Sequence, residues 1–472
     1  MKTFPHPLKP LPILGVLVLT CTTVFAQQAT LPEPPDFVNT TDATTLDTIG
    51  VTALRNLNPA LNGSGQNVAH AELQNTGFNQ FEVNPGVVGQ PMIFTYINSS
   101  GQTSNAFPNS IGTESSHADG VGDAFYGQTN SSNPEGVAYG VGHIYNYEAN
   151  YFYNHFISLG NNLVGSEKVI NQSFIFSVFG GPSIPQTYDN YVASRNKIFC
   201  SAVGNSGPPS DPSTAYNVIA VAAYGGTSSI GPTSDGRSKP DITAPASATS
   251  YSTPLVSGAA TILVQAAGSI LNANDSRTVK ALLLNGAVKP LSQSNPADNW
   301  THTSTAPLDT RYGAGVLNVF NSYKQFQGGR NPFTVSNTST TPPNPSGNVP
   351  VLAGWDFNTI STSPSQGRSS RAGPGVNHYF FILPAGSAAY TATVTLTWNR
   401  QNSQTSINNL DLFLYRADGA LFASSNSTVD NVEHLFVQNL PPGRYDVEVL
   451  KQQGGVSRGE TYALAFNVAP TQ

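Results

Sequence analysis

The sequence predicts an α/β unit, a doubly wound and mainly parallel sheet, followed by an all-β sandwich of the jelly-roll kind. Two patterns carry that reading. From Val68 to Tyr323, short apolar runs (VAHA, KVIN, IFCSAV, NVIAVAAY) alternate with helix-length segments, and runs bounded by Gly, Asn and Ser are what buried parallel strands look like. Beyond Val349, HYFFIL, YTATVTLTW, LDLFLYR, HLFVQNL, RYDVEVL and YALAFNV recur at short spacing with turn residues such as Asp418-Gly419 and Pro441-Pro442-Gly443 between them. A chain of 472 residues has room for two or three folded units.

Taken in order, Lys2 and Lys9 precede the apolar stretch Leu11 to Leu19, and Val24, Phe25 and Ala26 lead into Gln27. This is the pattern of a secretory signal peptide over residues 1–26, cleaved after Ala26, so the protein is expected outside the cytoplasm. The apolar run is too short to span a bilayer, and no later stretch is long and apolar enough. Cys21 raises lipidation as the minor reading, since Thr20 is a poor neighbour for such a cysteine. Residues 27–60 are polar and rich in Thr, Asn and Pro, a lead-in too short for a folded propeptide. Residues 61–325 hold the α/β unit, 326–350 form a proline-bearing linker, and 351–472 form the β unit. Once Cys21 is removed, Cys200 stands alone and an internal disulfide is excluded.

Composition narrows the partners. Only 10% of residues are charged, the formal net charge is -6, and no run of Lys or Arg could follow a phosphate backbone, which argues against nucleic acid. The 43 Gly and 35 Pro, with abundant Ser, Thr and Asn, describe a loop-rich surface solvated by hydroxyls and amides, as is common outside the cell.

The chemistry gathers around Ala248-Thr249-Ser250-Tyr251-Ser252-Thr253-Pro254, which opens a long apolar helix. A serine there sits at the positive end of the helix dipole, where backbone N–H groups can also bind an oxyanion, and Pro254 suits the first turns. Alone, such a start is usually no more than a helix cap. Its neighbours change that reading: SKPDITAP at Ser238 to Pro245, AVGNSG at Ala202 to Gly207, INQSF at Ile170 to Phe174, and SHADGVG at Ser116 to Gly122.

Together these segments resemble the subtilisin-like serine proteases from about Gly63 to Tyr323, closing on YGAGVLN at Tyr312 to Asn318. The family's Gly-Thr-Ser-Met-Ala-x-Pro appears with Ala248 for the first glycine and Tyr251 for methionine, and its Lys-Pro-Asp-Ile-x-Ala-Pro appears almost letter for letter. The resemblance implies a serine endopeptidase acting on proteins or peptides. Ser250 would be the nucleophile, His117 the general base, Asn205 an oxyanion donor through its side-chain amide, and Ser173 part of the substrate cleft. It implies no cofactor or metal for catalysis.

The acid position departs from the pattern. Gly63 to Glu72 fits the first-strand signature Gly-x-Gly-x-x-Val-Ala-x-x-Asp without a gap, with Glu72 where the family has aspartate. A rival alignment sets Asn75-Thr76-Gly77 over Asp-Thr-Gly, at the expense of a three-residue insertion that a strand absorbs only by bulging. An asparagine would also favour the wrong histidine tautomer. Glu72 is therefore the expected orienting acid. His143, in GVAYGVGHIYNYEA, reads as structural. A histidine at the base position and an asparagine at Asn205 set the chain apart from the Ser-Glu-Asp acid peptidases.

The substitutions at Glu72, Ala118 and Ala248 and the missing propeptide support an alternative, a catalytically impaired scaffold whose β unit does the binding. That β unit resembles modules appended to secreted bacterial peptidases. Asp411 and Asp418 are of the type that could ligate a structural calcium, though acidic residues at strand ends more often form turns. A monomer is expected.

Overall fold

The lead-in that looks featureless in sequence supplies two helices, α1 (Ala43–Thr48) and α2 (Val51–Leu57). Leu46, Ile49, Val51 and Leu54 are buried in the main core, so four aliphatic residues anchor a stretch otherwise dominated by Thr and Asn. The computed structural model describes residues 43–74, 79–129, 136–176, 183–291, 298–344, 348–362 and 373–471. The signal peptide and Cys21 lie outside these residues. All described residues fall in one compact unit. Among them, no helix is long and apolar enough to cross a membrane, and Cys200 is a buried free thiol.

The α/β part runs β1 (Asn67–Glu72), β2 (Gln80–Glu82), β3 (Phe94–Ile97), β4 (Thr103–Ser104), β5 (Thr113–Glu114), α3 (Ser116–Tyr126), β6 (His143–Glu148), α4 (Ala149–Tyr151), β7 (Val169–Gln172), α5 (Ser183–Arg195), β8 (Ile198–Ala202), β9 (Ile219–Tyr224), β10 (Ile242–Pro245), α6 (Thr249–Ala267), α7 (Ser276–Gly286) and α8 (Val319–Gln327). Its sheet has the order β10-β9-β8-β7-β1-β6-β3-β4 and is parallel except for the β3–β4 pair. The chain builds one side of β1 with β3 and β6, then crosses over to β7 and continues outward. Such a reversal opens a crevice at the carboxyl ends of the strands, where α/β proteins bind ligands.

The SKPD segment has a structural explanation. Asp241 is buried, its Oδ2 lies 2.6 Å from Lys239 Nζ and its Oδ1 3.1 Å from Lys280 Nζ, and it accepts the Ala220 N–H. Two ammonium groups and an amide balance one buried carboxylate. This ties β10 to β9 and α7.

The C-terminal part is built from β11 (Val335–Asn337), β12 (Ala353–Ser361), β13 (Gly375–Leu383), β14 (Tyr390–Trp398), β15 (Leu410–Arg416), β16 (Leu421–Ser425), β17 (Val432–Leu440), β18 (Gly443–Lys451) and β19 (Gly459–Pro470). They make two antiparallel sheets, β11-β13-β18-β15-β16 and β12-β19-β14-β17. Tyr379, Phe381, Leu412, Val447 and Val449 from the first and Val394, Leu396, Tyr462, Leu464 and Phe466 from the second share one core. Strand β11 arises inside the stretch read as linker, where Val335 to Asn337 pair with the edge of β13.

This part is cemented to the first. Trp355, Val432, Ala463 and Ala465 belong to the core of the α/β part. Arg400 Nη2 meets Asp189 Oδ2 at 2.7 Å, the Asp430 carboxylate accepts the Ser238 N–H at 2.7 Å, and Thr395 Oγ1 donates to Asn285 Oδ1 at 2.8 Å.

Candidate active site

Helix α6 begins with unusual support. Its N-cap is Ala248, which has no side-chain acceptor to offer. Asn205 substitutes for it from the turn after β8: Asn205 Oδ1 accepts from Thr249 N at 3.0 Å and from Thr249 Oγ1 at 2.9 Å. With its oxygen so fixed, the Asn205 amide turns its N–H₂ away from Thr249, and Asn205 lines the cleft. The turn depends on Gly204, whose φ of +100° suits glycine and whose missing Cβ would meet Ser229 Oγ at 2.9 Å.

Pro254 sits inside α6 and cannot donate to the Ser250 carbonyl four residues back. Ser173, just past β7, fills that gap. Its Oγ donates to Ser250 O at 2.7 Å, while Ser250 Oγ donates to Ser173 O at 3.3 Å. Ser173 is itself buried and accepts from Asn171 Nδ2 at 3.0 Å. The residue carrying the hydroxyl is thus clasped to the strand end by two bonds running in opposite directions.

His117 opens α3, whose N-cap Ser115 accepts the Ala118 N–H. Its Nδ1–H donates to Glu72 Oε1 at 2.6 Å, and the Glu72 side chain is only 3% exposed while that of His117 is 30% exposed. Glu72 ends β1. Its other oxygen, Oε2, lies 3.4 Å from Nε2 of buried His70, whose Nδ1 accepts from Tyr126 OH at 2.9 Å. One carboxylate therefore serves two imidazoles. Burial opposes the charge on Glu72, but the hydrogen bonds from His117 and His70 outweigh it and hold the carboxyl below its ordinary value. Burial likewise disfavours a charged His117, yet the bond to Glu72 and its charge raise the imidazole above the usual value. Asp119, one turn into α3, is pushed up to about 7 by burial first and by Glu114 and Glu72 beside it.

Glu72, His117, Ser173, Asn205 and Ser250 all line a single open cavity of about 470 Å³ at the carboxyl edge of the sheet. Tyr251 packs beside His117, with ring centroids 5.8 Å apart, and it fits only because Gly120 has no Cβ, which would fall 2.9 Å from the ring. His143 is elsewhere, on β6, with Nε2 2.9 Å from Thr95 Oγ1. The alternative residue Asn75 lies outside the described residues. His70 escaped the sequence reading, although the two-residue period of a strand puts it on the same side as Glu72. Asp411 is buried on β15 and bonded to Gln452, whereas Asp418 is exposed in the β15–β16 turn and accepts the Ala420 N–H at 3.1 Å.

The fold and this cleft define an α/β protein that gathers a hydroxyl, an imidazole and a carboxylate at one sheet edge. Residues 94–315 match the model of the subtilase family (Peptidase_S8). His117, Ser173, Asn205 and Ser250 fall within the match, and Glu72 precedes it. A Dictyostelium discoideum protein named serine protease/ABC transporter B family protein tagD is 27% identical over 277 residues, covering 45% of this chain and 14% of that protein. The chain thus spans about a seventh of that relative. Among solved structures, fervidolysin from Fervidobacterium pennivorans is similar at 14% identity and a TM-score of 0.43, covering 88% of this chain and 78% of that one. Prenylagaramide maturation protease PagA is similar at 20% identity and a TM-score of 0.42, covering 58% and 98% respectively.

Proposed function

We propose that the protein is an exported serine endopeptidase with Ser250 as nucleophile, His117 as general base and Glu72 as the carboxylate that orients it. The observation that carries this reading is the 2.6 Å bond from His117 Nδ1–H to Glu72 Oε1 in the cleft that Ser250 also lines. A proton held on Nδ1 leaves the Nε2 lone pair free to take one from Ser250. As the serine oxygen bonds to the peptide carbonyl carbon, its proton passes to Nε2, and the oxyanion is held by the Asn205 amide and the Ser250 N–H. His117 then gives the proton to the departing amine as the C–N bond breaks. Water enters by the same route and releases the acyl group.

The resting hydroxyl points to Ser173 O, so attack begins with a turn of Ser250 Oγ toward the imidazole. This orientation, with Glu72 in the acid position, is what favours the second reading, an impaired scaffold. A fluorophosphonate reagent decides between them: the peptidase reading expects a stoichiometric adduct on Ser250, and a folded chain that stays unmodified would overturn it. Export rests on the basic and apolar pattern ending at Ala26. Substrates of this monomer would be proteins or peptides laid along the exposed cleft.

A further inference from the structure

Strands β13 and β18 turn Tyr379, Phe381, Tyr445, Val447 and Val449 into the C-terminal core, so the alternate residues His378, Asp446 and Glu448 face the other way. That side would be open to water on a bare sheet, yet all three are fully buried. Parts of the connecting segment run along the β13 edge beside them: Thr334 donates through N and Oγ1 to His378 O, and Val349 N donates to Phe380 O.

The enclosed groups do not satisfy one another. His378 Nδ1 is 2.7 Å from Asp446 Oδ2 and 3.4 Å from Glu448 Oε1. Asp446 Oδ1 and both Glu448 oxygens are buried without a hydrogen-bond partner. Arg444, two residues along the same side, is turned onto the Phe380 ring, 5.1 Å from its centroid, and toward Asn348. With both carboxyls ionised even a charged His378 leaves one negative charge over, and burial together with the neighbouring Asp446 pushes Glu448 up to about 7. The other ring nitrogen adds an independent clue: His378 Nε2 lies 3.0 Å from Asn337 Oδ1, an oxygen that can only accept. That fixes a proton on Nε2 and aims Nδ1 at the carboxylates. An imidazole that ligates a metal is held in this way, by a carbonyl on its far nitrogen.

We propose that His378 Nδ1, Asp446 and Glu448 form a binding site for a divalent transition-metal ion of the zinc class. One imidazole nitrogen and two carboxylates suit such an ion, and its charge of two cancels the two carboxylates with His378 neutral. The donor atoms lie within 4.8 Å of one another. Ligands about 2.0–2.1 Å from a tetrahedral ion stand about 3.3 Å apart; the 3.4 Å Nδ1–Oε1 separation meets this, while Nδ1 and Asp446 Oδ2, 2.7 Å apart, must separate to admit the ion. The ion would join β11, through Asn337, to β13 and β18.

The test uses the whole chain carrying Ser250→Ala, so that self-cleavage does not intervene, stripped with chelator and titrated with Co²⁺ and then Zn²⁺. The proposal expects one equivalent of Co²⁺ with a visible absorption band that Zn²⁺ bleaches, loss of that equivalent in His378→Asn, and affinity weakened about 10–100-fold in Asn337→Ala. No binding by the parent chain overturns it, leaving an imidazolium between two carboxylates. Binding unchanged in His378→Asn also overturns it, by assigning the ion to other groups such as the histidines at Glu72. Should His378→Asn fail to fold, unchanged affinity in Asn337→Ala has the same force.

Discussion

In the cleft one carboxylate lies between two imidazoles, while beside the connecting segment one imidazole lies between two carboxylates. Both clusters are built across neighbouring elements at hydrogen-bond distances of 2.6 and 2.7 Å. They differ in access. His117 keeps 30% of its side chain in solvent, whereas His378 and Asp446 keep none. A proton on the first imidazole can reach a substrate; on the second it can only stabilise its surroundings. The same side-chain chemistry is therefore suited to turnover in one place and to cohesion in the other.

Three substitutions would break or sharpen that contrast. The largest effect is expected from Glu72→Gln, which keeps the shape but presents an amide to the imidazole, and kcat should fall about 10⁴-fold in a peptide-hydrolysis assay. The pH profile should move with it. Glu72 raises His117 against the effect of burial, so the unprotonated base emerges at higher pH than for an ordinary imidazole, and the acid limb of kcat/KM should lie above about 6.5. Without the carboxylate only burial acts, and the residual activity should climb at lower pH. A limb that stays fixed would detach Glu72 from the base.

In the sealed cluster, Asp446→Asn breaks the 2.7 Å pair between His378 and the nearer of its two carboxylates. Denaturant unfolding of chelator-treated protein should show a loss of about 3–5 kcal/mol, with kcat/KM of the folded fraction unchanged. An unchanged midpoint would remove the contrast. The smallest effect belongs to Asn205→Ala. Losing one oxyanion donor should lower kcat about 10²–10³-fold with little change in KM, and an equal rise in KM would point to the loss of the α6 cap instead.

What the sequence disclosed was chemistry carried by local turns. Alone, Ser250 would read as a helix cap and Asn205 as a turn residue, and both could be picked out because the residues around them, ATSYSTP and AVGNSG, resemble a family's motifs. The strand runs were legible because their neighbours are Gly, Asn and Ser. The contribution of Ser173 was not: it offsets an N–H that Pro254 lacks, 81 positions further on, which only the packed structure brings near. Nor were α1 and α2, where four buried aliphatics are hidden among Thr and Asn. HYFFIL and RYDVEVL read as core strands, but nothing in them announces that the side opposite the core would be buried as well. Beside that side runs TVSN, a stretch whose polar composition resembles a linker, whose backbone completes a sheet edge and whose Asn337 meets His378 Nε2.

The cementing of the two parts has a consequence for how this protein can be inherited. A module on a tether can be gained, lost or exchanged with little effect on its neighbour. Here Arg400 balances Asp189, Asp430 binds the backbone before Lys239, and Trp355 fills the core of the other part. Cutting the chain near residue 325 would strip a buried aspartate of its counter-charge and open a hydrophobic face. The C-terminal sheets and the cleft-bearing sheet share a seam at which a change on one side calls for a matching change on the other.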